Sequence, residues 1–204
     1  MLDARIRPLI DPPLNAIGRG LAARGVSADF VTLAGLGFGL FAAGAIVLGL
    51  QVLAVLFILL SRLADGLDGA IARAGRKTDF GGYLDITCDF LFYGAIPMAF
   101  VWADPSANAM AGAWLLVSFY FNGATFLGYA ILAEKRGLES QKHGAKSLYF
   151  TGGLLEGTET IAFFIAICLL PNWFGPMAWA FGAVCFVTAI SRILLARQVF
   201  THSE

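Results

Sequence analysis

The stretch DGLDGAIARAGRKTDFGGYLDITCD, Asp65 to Asp89, sets four carboxylates at regular spacing into an otherwise strongly apolar chain. A helix advances about 100° per residue, so Asp65, Asp68 and Ala72 lie within about 60° of one another on one face. Asp85 and Asp89, at i and i+4, share a face of whatever helix follows. The basic segment Gly75 to Phe80 between them is short. The spacing therefore predicts a helical hairpin that aims four acids at one another.

The surrounding chain reads as membrane. Of its 204 residues 58% are hydrophobic and only 14% charged, with a mean hydropathy of +0.76. An ordinary soluble domain carries about a quarter charged residues. The formal net charge is zero, which offers nothing to nucleic acid. Cys88, Cys168 and Cys185 lie in apolar surroundings without metal-ligand spacing and read as core residues. Six apolar segments approach the roughly 20 residues that cross a hydrocarbon core. They are Phe30 to Leu50, Val52 to Ala74, Gly81 to Ala103, Asn108 to Ala133, Tyr149 to Leu170 and Trp173 to Ala196.

Ahead of them, Leu2 to Arg24 alternates apolar residues with arginines, as an amphipathic helix lying in the interface would. A solvated arm is the plainer alternative. Arg5, Arg7, Asp11, Pro12 and Pro13 leave no uninterrupted apolar core for a secretory signal there. The expected fold is thus an all-α membrane protein, residues 1–204 forming one domain. It comprises an interfacial arm (1–28), a bundle of six transmembrane helices (29–197) and a tail (198–204). Gly35, Gly37, Gly39 and Gly44 are expected to permit close helix contact. Of the fourteen Lys and Arg residues, twelve fall in or beside segments that six spans place on one side, and the other two, Arg62 and Arg192, lie within spans. By the positive-inside rule that side, and the acid cluster with it, faces the cytoplasm, as in a bacterial inner membrane.

Four carboxylates this close repel and stay protonated unless cations compensate them. Hard divalent ions with oxygen ligands would do so, and Mg2+ fills its remaining coordination positions with water and substrate phosphate. The cluster therefore predicts a phosphate-bearing substrate. Gly69, Ala72 and Gly81 are small where such a substrate must approach the backbone. Arg62, one turn before Asp65 and inside a span, should pair with a motif carboxylate or touch a substrate phosphate.

Asp65, Asp68, Gly69, Ala72, Arg73, Gly81, Asp85 and Asp89 complete the pattern D-x2-D-G-x2-A-R-x7-G-x3-D-x3-D. This resembles the signature of the CDP-alcohol phosphotransferase (CDP-alcohol phosphatidyltransferase) family, integral membrane phospholipid synthases. The resemblance implies transfer of a phosphatidyl or other substituted phosphoryl group from CDP-diacylglycerol to the hydroxyl of a small polar alcohol, with release of CMP. It implies that Asp65, Asp68 and Asp85 ligate one or two Mg2+ or Mn2+ ions, and that Asp89 completes the site and acts as general base. Asp65, Gly69, Ala72, Arg73 and Gly81 would bound the nucleotide. A homodimer is implied as well. Members often open the first span with P-N-x2-T. Here Thr32 matches and Asp29 replaces the Asn, so Asp29 either joins the cytidine site or caps the first helix.

The alcohol is left to residues outside the motif. Glu156 and Glu159 stand i and i+3 at the start of the fifth apolar segment, where acids are rare, and are candidates for recognising an acceptor head group. Helix N-terminal charge is the plainer role for them. Lys142, His143 and Lys146 could meet a phosphate or simply make up a positive-inside loop. A reversed arrangement, with a soluble CDP-choline or CDP-ethanolamine type of donor and a lipid acceptor, fits the same motif. An intramembrane prenyltransferase would need two acidic motifs far apart. A divalent-cation carrier would need acids continuing across the bilayer.

Overall fold

Residues 28–47 hold one charge, Asp29, amid small and branched apolar side chains, and this composition makes them a helix that is apolar all round. The computed structural model describes residues 3–137, 155 and 157–201, and among them every regular element is helical. The helices are α1 (Asp3–Ala23), α2 (Ala28–Val47), α3 (Gln51–Ala74), α4 (Asp79–Ala103), α5 (Pro105–Lys135), α6 (Gly157–Leu169) and α7 (Phe174–Thr201). A 3-10 turn at Pro171–Trp173 leads into α7.

Local chemistry explains where they begin. Ser27 caps α2 by accepting from the Phe30 N–H at 3.2 Å, and Thr78 caps α4 by accepting from Gly81 N–H at 3.0 Å. Asp104 caps α5, with Pro105 pre-set for the first turn. Its carboxylate accepts from the Ser106 hydroxyl and the Ala107 N–H, which hold its pKa below the usual carboxylate range. Gly25 (φ 80°) and Gly49 (φ 72°) follow the ends of α1 and α2 in left-handed conformations that suit glycine.

Among the described residues, four stretches are long and apolar enough to cross a membrane: 28–47, 79–103, 105–135 and 171–201. The second expected span corresponds to α3, whose 24 residues include Arg62, Asp65, Asp68 and Arg73. The fifth corresponds to α6, an apolar helix described from Gly157. Side chains such as Phe41, Tyr120 and Ile131 point outward from the bundle, as a lipid-facing surface allows.

α2 packs against both α3 and α4, α5 against α4 and α7, and α6 against α3. The shared core includes Ile46, Ile58, Phe92, Ile96, Leu115, Phe164 and Ile167, all fully buried. The stacked pairs Phe100–Phe174 (4.7 Å) and Phe163–Phe181 (4.1 Å) tie α7 to α4 and α6. α1 lies against α3: Leu14 fills the space above Gly66, and Gly18 sits against Ala70. The N-terminal segment is therefore a helix docked on the bundle rather than a solvated arm. It leaves Leu9, Ile10 and Ile17 exposed.

The glycine expectation divides. A Cβ on Gly35 would come within 3.1 Å of the Ala64 Cβ, and one on Gly39 within 2.6 Å of the Phe92 ring. These two let α3 and α4 approach α2. Gly37 and Gly44 meet no neighbour within 4 Å, so the packing role does not extend to them. Residues 37 and 44 sit on faces that the hydropathy pattern, apolar all round, does not distinguish from the packed one. Gly39→Ala should therefore lower stability in detergent by about 1–3 kcal/mol through overpacking against Phe92. Gly37→Ala should be neutral or raise it by up to about 1 kcal/mol through helix propensity. Thermal unfolding followed by circular dichroism compares the two, and equal losses would remove the assigned difference.

Candidate active site

α3 and α4 are joined by Gly75–Thr78, and this short connection returns the chain beside itself so that the two acid-bearing faces meet. One carboxylate oxygen each from Asp65, Asp85 and Asp89 lies within 4.8 Å of the others. Asp68 is buried beside them, and its Oδ2 accepts from the Thr32 hydroxyl of α2 at 2.6 Å. That hydroxyl also lies 3.1 Å from the Ala28 carbonyl, so its single proton goes to the shorter, charged partner. All four acids line one cavity of about 210 Å³, with Thr32, Arg62 and Cys88 in its wall.

The donor set consists of oxygens alone, the chemistry of a hard divalent cation rather than of zinc or copper. Three carboxylates within 4.8 Å fit such an ion. They come from two helices that both pack against α2.

Arg62 reaches the cluster from α3. Its Nη1 donates to Asp89 Oδ1 at 2.8 Å and lies 3.6 Å from Asp65 Oδ1. Its Nη2 donates to Ser61 Oγ at 3.1 Å, and its guanidinium carbon stands 4.1 Å from the centre of the Phe92 ring. Of the two roles open to it from the sequence, the structure shows the pairing with motif carboxylates.

A second, wider cleft of about 630 Å³ opens beside the first and shares Thr32, Asp68 and Asp85 with it. Gly69, Ala72, Arg73 and Gly81 border this cleft, as does Asp29. Asp29 does not cap α2. Ser27 does, and Asp29 in the first turn turns toward α4, where its Oδ1 would stand 3.1 Å from a Cβ on Gly81. Arg73 Nε and Nη2 donate to Asn15 Oδ1 of α1 at 3.2 and 2.9 Å. Arg76 and Lys77 of the connecting loop complete a basic margin.

The acceptor candidates are placed less fully. Glu159 lies partly buried in the first turn of α6. Glu156, Lys142, His143 and Lys146 lie outside the described residues. Sequence reasoning missed three supporting residues, Asn15, Ser61 and Phe92. Of these, Ser61 alone carried a local signal, as a polar residue next to Arg62 inside a span. A second buried arginine, Arg192 of α7, donates to the Asn122 side chain and the Thr125 hydroxyl at 2.9 Å each.

The sequence model of the CDP-alcohol phosphatidyltransferase family matches residues 26–201. The chain is 46% identical to the inner membrane protein YnjF of Escherichia coli over 95% of its own length and 94% of that protein. It is 28% identical to a phosphatidylinositol phosphate synthase of Mycobacteroides abscessus, over 90% and 80% of the two chains. In fold it resembles the phosphatidylinositol phosphate synthase PgsA1 of Mycobacterium tuberculosis with CDP-DAG bound, with a TM-score of 0.64 and 22% identity over 90% and 93% of the two chains. The same enzyme in complex with manganese and citrate also gives a TM-score of 0.64, at 21% identity over 89% and 88%. With its motif acids gathered at one cavity and 26–201 matched throughout, the chain is a membrane-embedded transferase that belongs to the CDP-alcohol phosphatidyltransferase family.

Proposed function

We propose that the chain transfers a phosphatidyl group from CDP-diacylglycerol to the hydroxyl of a small polar alcohol, releasing CMP, in phospholipid synthesis. The observation that carries this reading is the meeting of Asp65, Asp85 and Asp89 within 4.8 Å, beside a cleft bordered by the remaining motif residues. The family match supports the reaction class, and the relative with CDP-DAG bound supports the donor.

The acceptor oxygen attacks the phosphorus that bears the diacylglycerol. A new P–O bond forms, and the bond from that phosphorus to the CMP oxygen breaks. Asp89 takes the acceptor proton through Oδ2, because Oδ1 already accepts from Arg62. Asp65, Asp68 and Asp85 would hold Mg2+ or Mn2+, with Asp89 at the edge of the set. When bound, the cation neutralises pyrophosphate charge as it shifts to leaving CMP. The Thr32 hydroxyl donates to Asp68 and orients its carboxylate. Asp29, Gly69, Ala72, Arg73 and Gly81 would receive the nucleotide in the wider cleft, where small residues leave backbone exposed to it. Glu156 and Glu159 remain our candidates for the acceptor head group, and Lys142, His143 and Lys146 for a phosphate. The six-span bundle with α1 at the membrane surface, the homodimer, and the site facing the cytoplasm of a bacterial inner membrane belong to this proposal. The name of the E. coli relative supports the inner-membrane location alone.

Purified protein with Mg2+ or Mn2+, CDP-diacylglycerol and a panel of alcohols that includes inositol phosphate should release CMP with one of them, and mass analysis should show the matching lipid. Soluble CDP-alcohols with diacylglycerol form the control arm, and CMP from that arm alone would reverse donor and acceptor. Asp89→Asn should lower kcat by roughly 10²–10⁴-fold, the range for loss of a general base, and a chelator should abolish turnover. Activity in Asp89→Asn equal to wild type would remove the assigned base.

Gly81→Val tests the nucleotide cleft separately. The new side chain presses on Asp29 and Thr78, so the KM for the CDP donor should rise by roughly tenfold while the Mn2+ requirement stays. An unchanged donor KM would take residue 81 out of the nucleotide site.

A further inference from the structure

Arg62 stands outside the eight motif positions, yet it reaches into the space their carboxylates enclose. Its Nη1 is 2.8 Å from Asp89 Oδ1 and 3.6 Å from Asp65 Oδ1, two of the three acids that converge within 4.8 Å. A guanidinium keeps its charge at every working pH. It is also held from several sides. Ser61 Oγ accepts from Nη2, the Phe92 ring lies 4.1 Å below the guanidinium carbon, and the Tyr93 ring lies 6.0 Å away. Phe92 is itself fully buried against Gly39 of α2, so the surface on which the cation rests cannot yield easily. A second divalent ion bridging Asp65 and Asp89 would sit against this fixed charge and be repelled by it.

We propose that Arg62 is a positioning residue that takes the place of one divalent cation. Phosphoryl transfer commonly uses two metal ions to steady the attacking and leaving oxygens. Here, one of those positive charges is tethered to the protein. Arg62 engages Asp89 Oδ1, fixes the direction of Oδ2 toward an acceptor, and confines the substrate-free chain to a single ion among Asp65, Asp68 and Asp85. This assignment rests on the metal-dependent transfer proposed above.

The experiment is a Mn2+ titration of the full-length chain in detergent without nucleotide, with free Mn2+ counted by electron paramagnetic resonance. Wild type and Arg62→Lys should each bind about one ion per chain, the lysine preserving the charge. Arg62→Met fills the same space over Phe92 without charge and should bind about two, a doubling that a merely structural role would not produce. About two ions in wild type overturns the assignment and leaves the proposed reaction standing. No ion in wild type overturns both. About one ion in an Arg62→Met protein whose thermal unfolding matches wild type also overturns it. Should that variant fail to fold, the wild-type count still decides, because a value near two is incompatible with a tethered cation.

Discussion

Four carboxylates pressed together in an apolar bundle repel one another and lose their hydration, and the architecture of this chain is largely an answer to that constraint. The Arg62–Asp89 pair at 2.8 Å supplies charge compensation within the protein, and the Thr32 hydroxyl at 2.6 Å from Asp68 supplies a donor. Each partner needs a helix in a fixed place. Gly35 lets α3 approach α2, which brings Thr32 to Asp68. Gly39 gives the Phe92 ring its seat, which supports the guanidinium. The small residues thus matter for the site as much as for the packing, because without close approach the polar partners would not reach.

The division of labour between the two cavities follows from the same arrangement. α2, α3 and α4 leave a narrow acidic space between them and a broader cleft with a basic margin at the end where the α3–α4 loop turns. On the proposed reading, a phosphate-bearing donor entering there would meet Arg73, Arg76 and Lys77 before the carboxylates. Docking of α1 orients one of those cations, since Asn15 takes two hydrogen bonds from Arg73. If Arg73 receives the nucleotide as proposed, the N-terminal helix would reach the site through Asn15, and its packing through Leu14 and Gly18 would have a use beyond stability.

Much of this was legible in the sequence, for a physical reason. Acids at i, i+3 and i, i+4 in a greasy chain leave few alternatives to a shared site, and the family resemblance rested on those same positions. The membrane class followed from composition alone. What the sequence hid were relations that depend on which helix faces which. Gly37 and Gly39 look alike in a row of apolar residues, yet only the second meets a ring. Asp29 looked fit to cap α2, but Ser27 two residues earlier does so and frees the acid for the cleft. The contact of Arg73 with Asn15, 58 residues away, left no trace in local pattern.

The charges of α3 also bear on how the protein reaches its membrane. Arg62, Asp65, Asp68 and Arg73 fall within one 24-residue helix, and each charged side chain near a helix centre opposes transfer from the insertion machinery into lipid by about 2.5–3.5 kcal/mol. α3 is thus a poor span on its own. α4 follows after only four residues and brings Asp89 to Arg62, while α2 ahead of it brings Thr32 to Asp68. The three helices are thus expected to insert as one unit, with α2 and α4 supplying the polar partners that α3 lacks on its own.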